Sequence, residues 1–168
     1  SFGGINLEDI SAPRCFEIEE RLKATLDIPV MHDDQHGTAV VVLAALLNAS
    51  KYVGMQVKND TVGMVGLGAA GMGISKLLMA FGVRKMLGAD INPSAQEIFA
   101  KEGGKPVTLP EIMAAADIVI CTTGVPGLIK KEMIRKGQVI LALSNPRPEI
   151  SPEEARAAGA SFAADGRG

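Results

Sequence analysis

Short apolar runs alternate along this chain with longer stretches whose apolar positions recur at helical spacing. Short runs bounded by turn residues read as buried strands, and the longer periodic stretches as helices. In residues 1–54, "INLEDI" predicts a short strand and Ser11–Leu26 a helix opening on Ser-Ala-Pro, since proline fits a first turn. "DIPVMHD" predicts a second strand, and Gly37–Val53 a helix closed by Gly54. That apolar helix is expected to anchor the acidic residues before it against a sheet. In residues 55–168 the alternation becomes regular. "TVGMVGLG" (61–68) predicts strand then turn, Ala70–Phe81 a helix ended by Gly82, and "VRKMLGAD" (83–90) a strand. Helices at Pro93–Glu102 and Leu109–Ala116 precede a strand at "DIVICTTG" (117–124). A helical turn at Lys130–Lys136, a strand at "QVILALSN" (138–145), a capped helix at "SPEEARAAGA" and a strand at "SFAAD" complete the order.

Strands alternating with helices imply βαβ units with right-handed crossovers, hence an α/β fold with a doubly wound parallel sheet. Residues 1–54 read as a segment leading into that sheet, and 55–168 as its core. Composition agrees: 47% of the 168 residues are hydrophobic, with no tryptophan and one tyrosine. The apolar mass is therefore Val, Ile, Leu, Met and Ala, which suits strands buried on both faces. With 17 basic and 19 acidic residues the net charge is -2, which gives no footprint for nucleic acid or an acidic membrane surface. The longest apolar run, Ala39 to Leu47, is short for a membrane span, and no signal peptide is visible. Cys15 and Cys121 are isolated, without metal spacing, as in a reducing, cytoplasmic setting. Ser1 in place of an initiator Met, and an end at "ADGRG", lead us to expect a piece of a longer polypeptide.

The turn after the 61–68 strand holds Gly66-Leu67-Gly68-Ala69-Ala70-Gly71, a G-x-G-x-x-G. It follows a strand, opens a helix, and Asp90 ends the next strand about 20 residues on, the context of a Rossmann-type dinucleotide fingerprint. Gly66 permits the tight turn, Gly68 lets the backbone approach a pyrophosphate, and Gly71 lets helix and strand pack closely. The helix N-terminus offers free N–H groups to the phosphates. Asp90 would accept hydrogen bonds from the ribose hydroxyls and so favour NAD over NADP, with Arg84 and Lys85 nearby as a moderating charge. Thr123, in "CTTG", and Asn145, in "LSNP", fall at later strand ends, where ligands of open α/β sheets collect. Thr122 and Thr123 read equally well as loop punctuation.

Glu8-Asp9 and Asp33-Asp34 each follow a strand-like run and can therefore meet near one sheet edge. Carboxylates converging there would repel without a cation, and all-oxygen ligation selects Mg²⁺ or Mn²⁺ over Zn²⁺. Asp33 and Asp34 equally suit a helix N-terminus with no metal. His32 and His36 read better as satisfied polar residues than as ligands.

"FGGINLEDISAPRCFEIE", "IPVMHDDQHGTAVVVLAALLNA", "VGLGAAGMGISKLL" and "ALSNPRPEISPEEA" together resemble the cofactor-binding domain of bacterial-type malic enzymes, across essentially the whole chain. The resemblance implies oxidative decarboxylation of malate to pyruvate and CO₂, with NAD or NADP and Mn²⁺ or Mg²⁺, in a homo-oligomer. By motif it implies Glu8, Asp9 and Asp34 as metal ligands and Asp33 beside the substrate hydroxyl in the catalytic network. Leu67–Ala70 would hold the pyrophosphate, and Asn145 would reach the substrate or the nicotinamide. It also implies that the acid and base, a tyrosine and a lysine, lie upstream; Tyr52 does not match that motif. The glycine turn alone also fits a malolactic-type or other dehydrogenase, or a non-catalytic nucleotide-binding module.

Overall fold

A computed structural model describes residues 2–167; Ser1 and Gly168, the outer ends of the two expected blocks, lie outside it. Eight strands form two parallel sheets among the described residues. The smaller pairs β1 (Ile5–Leu7) with β2 (Val30–His32), joined through helix α1 (Arg14–Thr25), with Leu7 opposite His32. The larger has the order β5-β4-β3-β6-β7-β8, all parallel. Its strands are β3 (Thr61–Val65), β4 (Lys85–Ala89), β5 (Lys105–Pro106), β6 (Ile118–Cys121), β7 (Val139–Ala142) and β8 (Phe162–Asp165). The chain runs outward from β3 to one edge and returns to β6 to wind toward the other. That is the doubly wound dinucleotide-binding order, with its topological switch between β3 and β6.

The strands bury both faces. Every residue of β6 and β7 is buried, and helices α3 (Ala69–Phe81), α4 (Pro93–Lys101), α5 (Leu109–Ala115) and α6 (Pro152–Ala157) cover the sheet. One core cluster joins Met64, Ile120 and Leu141 to Ile74, Leu78 and Phe99; a second sets Val119, Cys121 and Ile140 against Ile112 and Ile150.

Several elements differ from the sequence reading. Helix α2 spans Asp33–Val53 and begins four residues before Gly37, directly off β2. Both aspartates thus lie in its first turn, where a carboxylate complements the dipole. Its main packing partner is α3, and Ala39, Val42 and Leu46 join the core cluster that also holds Met64, Ile120 and Leu141 of the large sheet. Gly73 sets that packing distance, because a Cβ there would lie 2.8 Å from the Gln35 carbonyl carbon. The other face of α2 carries exposed Val40, Val41 and Tyr52. By length and composition alone α2 also meets the requirement for crossing a membrane. Helix α1 starts at Arg14, with Pro13 as N-cap, and the turn at Lys131–Met133 is 3₁₀. Strand β5 was not legible: it is two residues long and contains Pro106, which an edge strand tolerates.

Candidate active site

Turn geometry builds the site at the switch point. Gly66 has φ 95°, the left-handed region that glycine alone enters freely, and a Cβ there would meet the Thr122 carbonyl oxygen at 2.8 Å. The Gly66 carbonyl also occupies the space a Gly71 Cβ would need, so these glycines draw α3 onto the turn. Gly68 faces open space and is the N-cap of α3, with no side-chain cap. The first-turn amides of Ala69 and Ala70 thus have no intrahelical acceptor. A cavity of about 830 Å³ opens at the turn that precedes them, lined among others by Gly66, Gly68, Asp90, Gln96, Thr108 and Thr123, with Ala69 and Ala70 themselves outside its lining. A glycine cradle, free helix amides and a mostly apolar cleft fit a dinucleotide.

Asp90 has a second task. Its Oδ2 accepts the Leu67 N–H at 2.6 Å and its Oδ1 the Asn92 N–H at 2.8 Å, so it ties the glycine turn to the end of β4. Leu67 is consequently not an amide donor for a ligand, and its side chain is core. Arg84 and Lys85 do not approach Asp90. They sit at the start of β4, about 17–20 Å back along a strand rising about 3.3 Å per residue, and line a different cleft with Lys105. The expected moderating charge is absent, and no Lys or Arg is among the residues lining the larger cavity.

Thr123 lines that cavity, but its N–H and hydroxyl both donate to Glu149 Oε1 at 2.8 Å. Thr122 donates to the Gly66 carbonyl. Glu149 is fully buried and also accepts from Ser144 Oγ at 2.6 Å, so one carboxylate joins the loops after β6 and β7. Nothing in its sequence position marked it. Asn145 is exposed on the second of these loops, its Nδ2 3.4 Å from the Gly166 carbonyl, and is not among the residues lining the cavity. Burial pushes Cys121 well up and Cys15 up, which removes both thiols as nucleophiles at neutral pH.

The β1–β2 register carries the acidic residues to one edge. Leu7 pairs with His32, so Glu8-Asp9 and Asp33-Asp34 leave adjacent strand ends. Asp34 Oδ2 accepts the Asp9 N–H at 3.2 Å, across 25 residues of sequence. Asp9 turns there at φ 56°. The Asp33 carboxylate lies over Gly37, where no Cβ would fit. Neither aspartate caps α2: the N-cap is His32, and no side chain caps it. Among the described residues no three His, Cys, Asp or Glu side chains group closely enough to hold a metal ion. Asp9 and Asp34 are together, while Glu8 is exposed beside them.

Behind these carboxylates lies a polar cluster the motifs did not predict. Glu19, His32 and Gln35 are all buried. Glu19 Oε1 accepts from Lys23 Nζ at 2.8 Å, and His36 Nε2 lies at ion-pair distance, also 2.8 Å. Burial works against its charge, but the Lys23 ammonium, the neighbouring His36 and the His32 N–H outweigh it and hold the carboxyl below its usual range. His36 is part-exposed beside Glu19, whereas His32, which the sequence reading took as a satisfied polar residue, has its Nε2 buried without a hydrogen-bond partner. The legible signal was Glu19 itself, one turn after Cys15 on the buried face of α1.

Residues 22–138 match the family model for the NAD-binding domain of D-isomer-specific 2-hydroxyacid dehydrogenases. The chain belongs to this family of NAD-binding domains. Over nearly its whole length it is similar to malic enzymes, as its motifs implied. It is 58% identical to NAD-dependent malic enzyme 1 of Bacillus subtilis, over 99% of this chain and 38% of that protein. It is 38% identical to the NADP-dependent malic enzyme of Salmonella typhimurium, over 93% of this chain and 22% of that protein. The crystal structure of an NAD-dependent malic enzyme from Thermotoga maritima superposes with a TM-score of 0.89 at 41% identity, covering 99% of this chain and 48% of that one. The chain therefore spans less than half the length of these relatives.

Proposed function

We propose that this chain forms the cofactor-binding part of an enzyme that oxidatively decarboxylates malate to pyruvate and CO₂, with Glu8, Asp9 and Asp34 holding Mn²⁺ or Mg²⁺. One observation carries the reading: the first turn of α2, with Asp33 and Asp34, is held beside the helix of the dinucleotide turn, because α2 packs on α3 at Gly73, and Asp34 in turn accepts the Asp9 N–H. The donor chemistry fits a hard cation, since every acidic ligand offers oxygen. A bound nicotinamide supplies the hydride acceptor, and a bound divalent cation supplies positive charge at the substrate's C2 oxygen.

The chain's own residues bind and orient. The Ala69 and Ala70 amides receive the pyrophosphate, and Asp90 accepts from the ribose hydroxyls with its remaining lone pairs. With Asp90 present and no cation lining the cavity, we infer a preference for NAD. Asp33, fixed over Gly37, accepts a hydrogen bond from the substrate hydroxyl. Asn145 donates its amide toward the substrate or nicotinamide. Thr123, its donors engaged by Glu149, forms cavity wall.

The test uses the complete gene product that carries this chain. Malate, NAD and Mn²⁺ together should yield pyruvate and NADH, and chelation or Asp34→Asn should abolish turnover. Lactate as the product would favour a malolactic enzyme instead, and metal-independent turnover would remove the cation from the scheme. The 168-residue chain by itself should bind NADH yet show no decarboxylation, because its acid and base are expected elsewhere.

A further inference from the structure

The buried cluster behind Asp34 has a defined polarity. The Gln35 side-chain nitrogen lies 3.4 Å from Glu19 Oε2 and 3.0 Å from His32 Nδ1. An amide can be turned either way, but only its NH₂ end suits a carboxylate, and Glu19 is kept ionised by Lys23 and His36. The opposite orientation would set the amide oxygen against the Glu19 oxygens. With NH₂ facing both neighbours, Gln35 spends one hydrogen on Glu19 and the other on His32. Nδ1 must then be an acceptor, and a neutral imidazole carries its proton on Nε2.

That Nε2 is the buried nitrogen without a partner. His32 is fully buried, and its Nε2 lies 3.4 Å from Asp34 Oδ2, outside hydrogen-bond geometry. Asp34 Oδ2 already accepts the Asp9 N–H. Two donors thus converge on one oxygen, while among the described residues none donates to Oδ1.

We infer that Glu19, Gln35 and His32 form a relay of fixed polarity that presents His32 Nε2–H to Asp34 Oδ2 and thereby orients Asp34, with Oδ1 outward, as a cation ligand. His32 is a positioning residue, as imidazoles and amides behind metal ligands commonly are. The inference rests on the metal reading above but makes its own claim about tautomer and orientation.

Long-range ¹H–¹⁵N NMR of the complete gene product should show His32 as the neutral Nε2–H tautomer; the Nδ1–H form would overturn the relay. Calorimetric titration with Mn²⁺ is the second arm. His32→Phe keeps the ring volume without the donor and should weaken Mn²⁺ binding about tenfold. His32→Gln returns an N–H donor and should restore affinity to within about threefold of the parent, on the same scale. Equal weakening by Phe and Gln means that shape rather than the hydrogen bond matters, and overturns the relay. Unchanged affinity in His32→Phe does the same while leaving the metal reading intact, provided Asp34→Asn abolishes binding. If Asp34→Asn binds Mn²⁺ like the parent, the metal reading and the relay fall together. Should His32→Phe not fold, the NMR arm and Gln35→Leu, which frees Nδ1 and should also lower affinity, decide the matter.

Discussion

At the level of single residues, Glu19 is a buried carboxylate held ionised by its neighbours. Replacing it with Ala would leave the Gln35 amide and the His32 N–H buried and unmatched, at a cost of about 1–3 kcal/mol, readable as a lower urea midpoint. Its pH dependence follows from the depressed carboxyl. The contribution is fully present above the unfolded value of 4.5 and is lost as pH falls through the lower folded value. The Glu19→Gln protein should therefore lose less stability than the parent between neutral pH and the acid range, by paired denaturation curves. Asp90 permits a second residue-scale prediction. Asp90→Ala should shift the NADPH-to-NADH affinity ratio toward NADPH by about tenfold, since the anion facing the ribose is removed. Because Asp90 also holds the Leu67 N–H, affinity for both nucleotides should fall. The chain has no tryptophan, so titration of nicotinamide fluorescence reads this without protein background from indole. The tight turn at Gly66 and the place of Asp90 at the end of β4 were legible because strand, turn and helix impose them locally. Glu149 and Gln35 were not, because their partners come from loops and helices distant in sequence, which one chain's pattern does not pair.

Element by element, the informative contact is α2 on α3. Sequence periodicity found both helices but assigned α2 to the sheet, because an apolar helix does not declare which neighbour receives it. It also began α2 late: Gly37 looked like a boundary, yet in the structure it clears room for the Asp33 carboxylate. Gly73 lies two residues beyond the dinucleotide fingerprint and so escaped notice, although it decides how near the two helices come. Gly73→Ala places a methyl against the Gln35 backbone, and neither backbone can yield without moving a helix. A cost of about 1–3 kcal/mol is expected from such overpacking. Since Gln35 and Asp34 are on the displaced helix, Mn²⁺ affinity should fall more than NADH affinity, measured by parallel titrations. Equal losses would mean the helices move as one body and would detach the packing from the acidic edge.

On the scale of the molecule, the doubly wound parallel sheet was implied by alternating strands and helices, whereas its edge strand β5 and the separate β1–β2 sheet were not. Three-residue strands carry too little pattern to say which sheet they join. The consequence is an uneven distribution of burial. Strands β6 and β7 are wholly buried, while β1 contains no fully buried residue and α1 buries only Cys15 and Glu19. Local opening free energies follow buried contacts. The amides of β1 and α1 should accordingly exchange at least about tenfold faster than those of β6 and β7, through an opening that leaves the large sheet closed. Such an opening separates Asp9 from Asp34 and so competes with any ligand that needs both. Added Mn²⁺ should then slow exchange in β1, β2 and the first turn of α2 while leaving β7 unchanged, since a ligand stabilises only the opening that destroys its site. Uniform slowing across both sheets would instead mean that the small sheet opens only when the whole molecule unfolds.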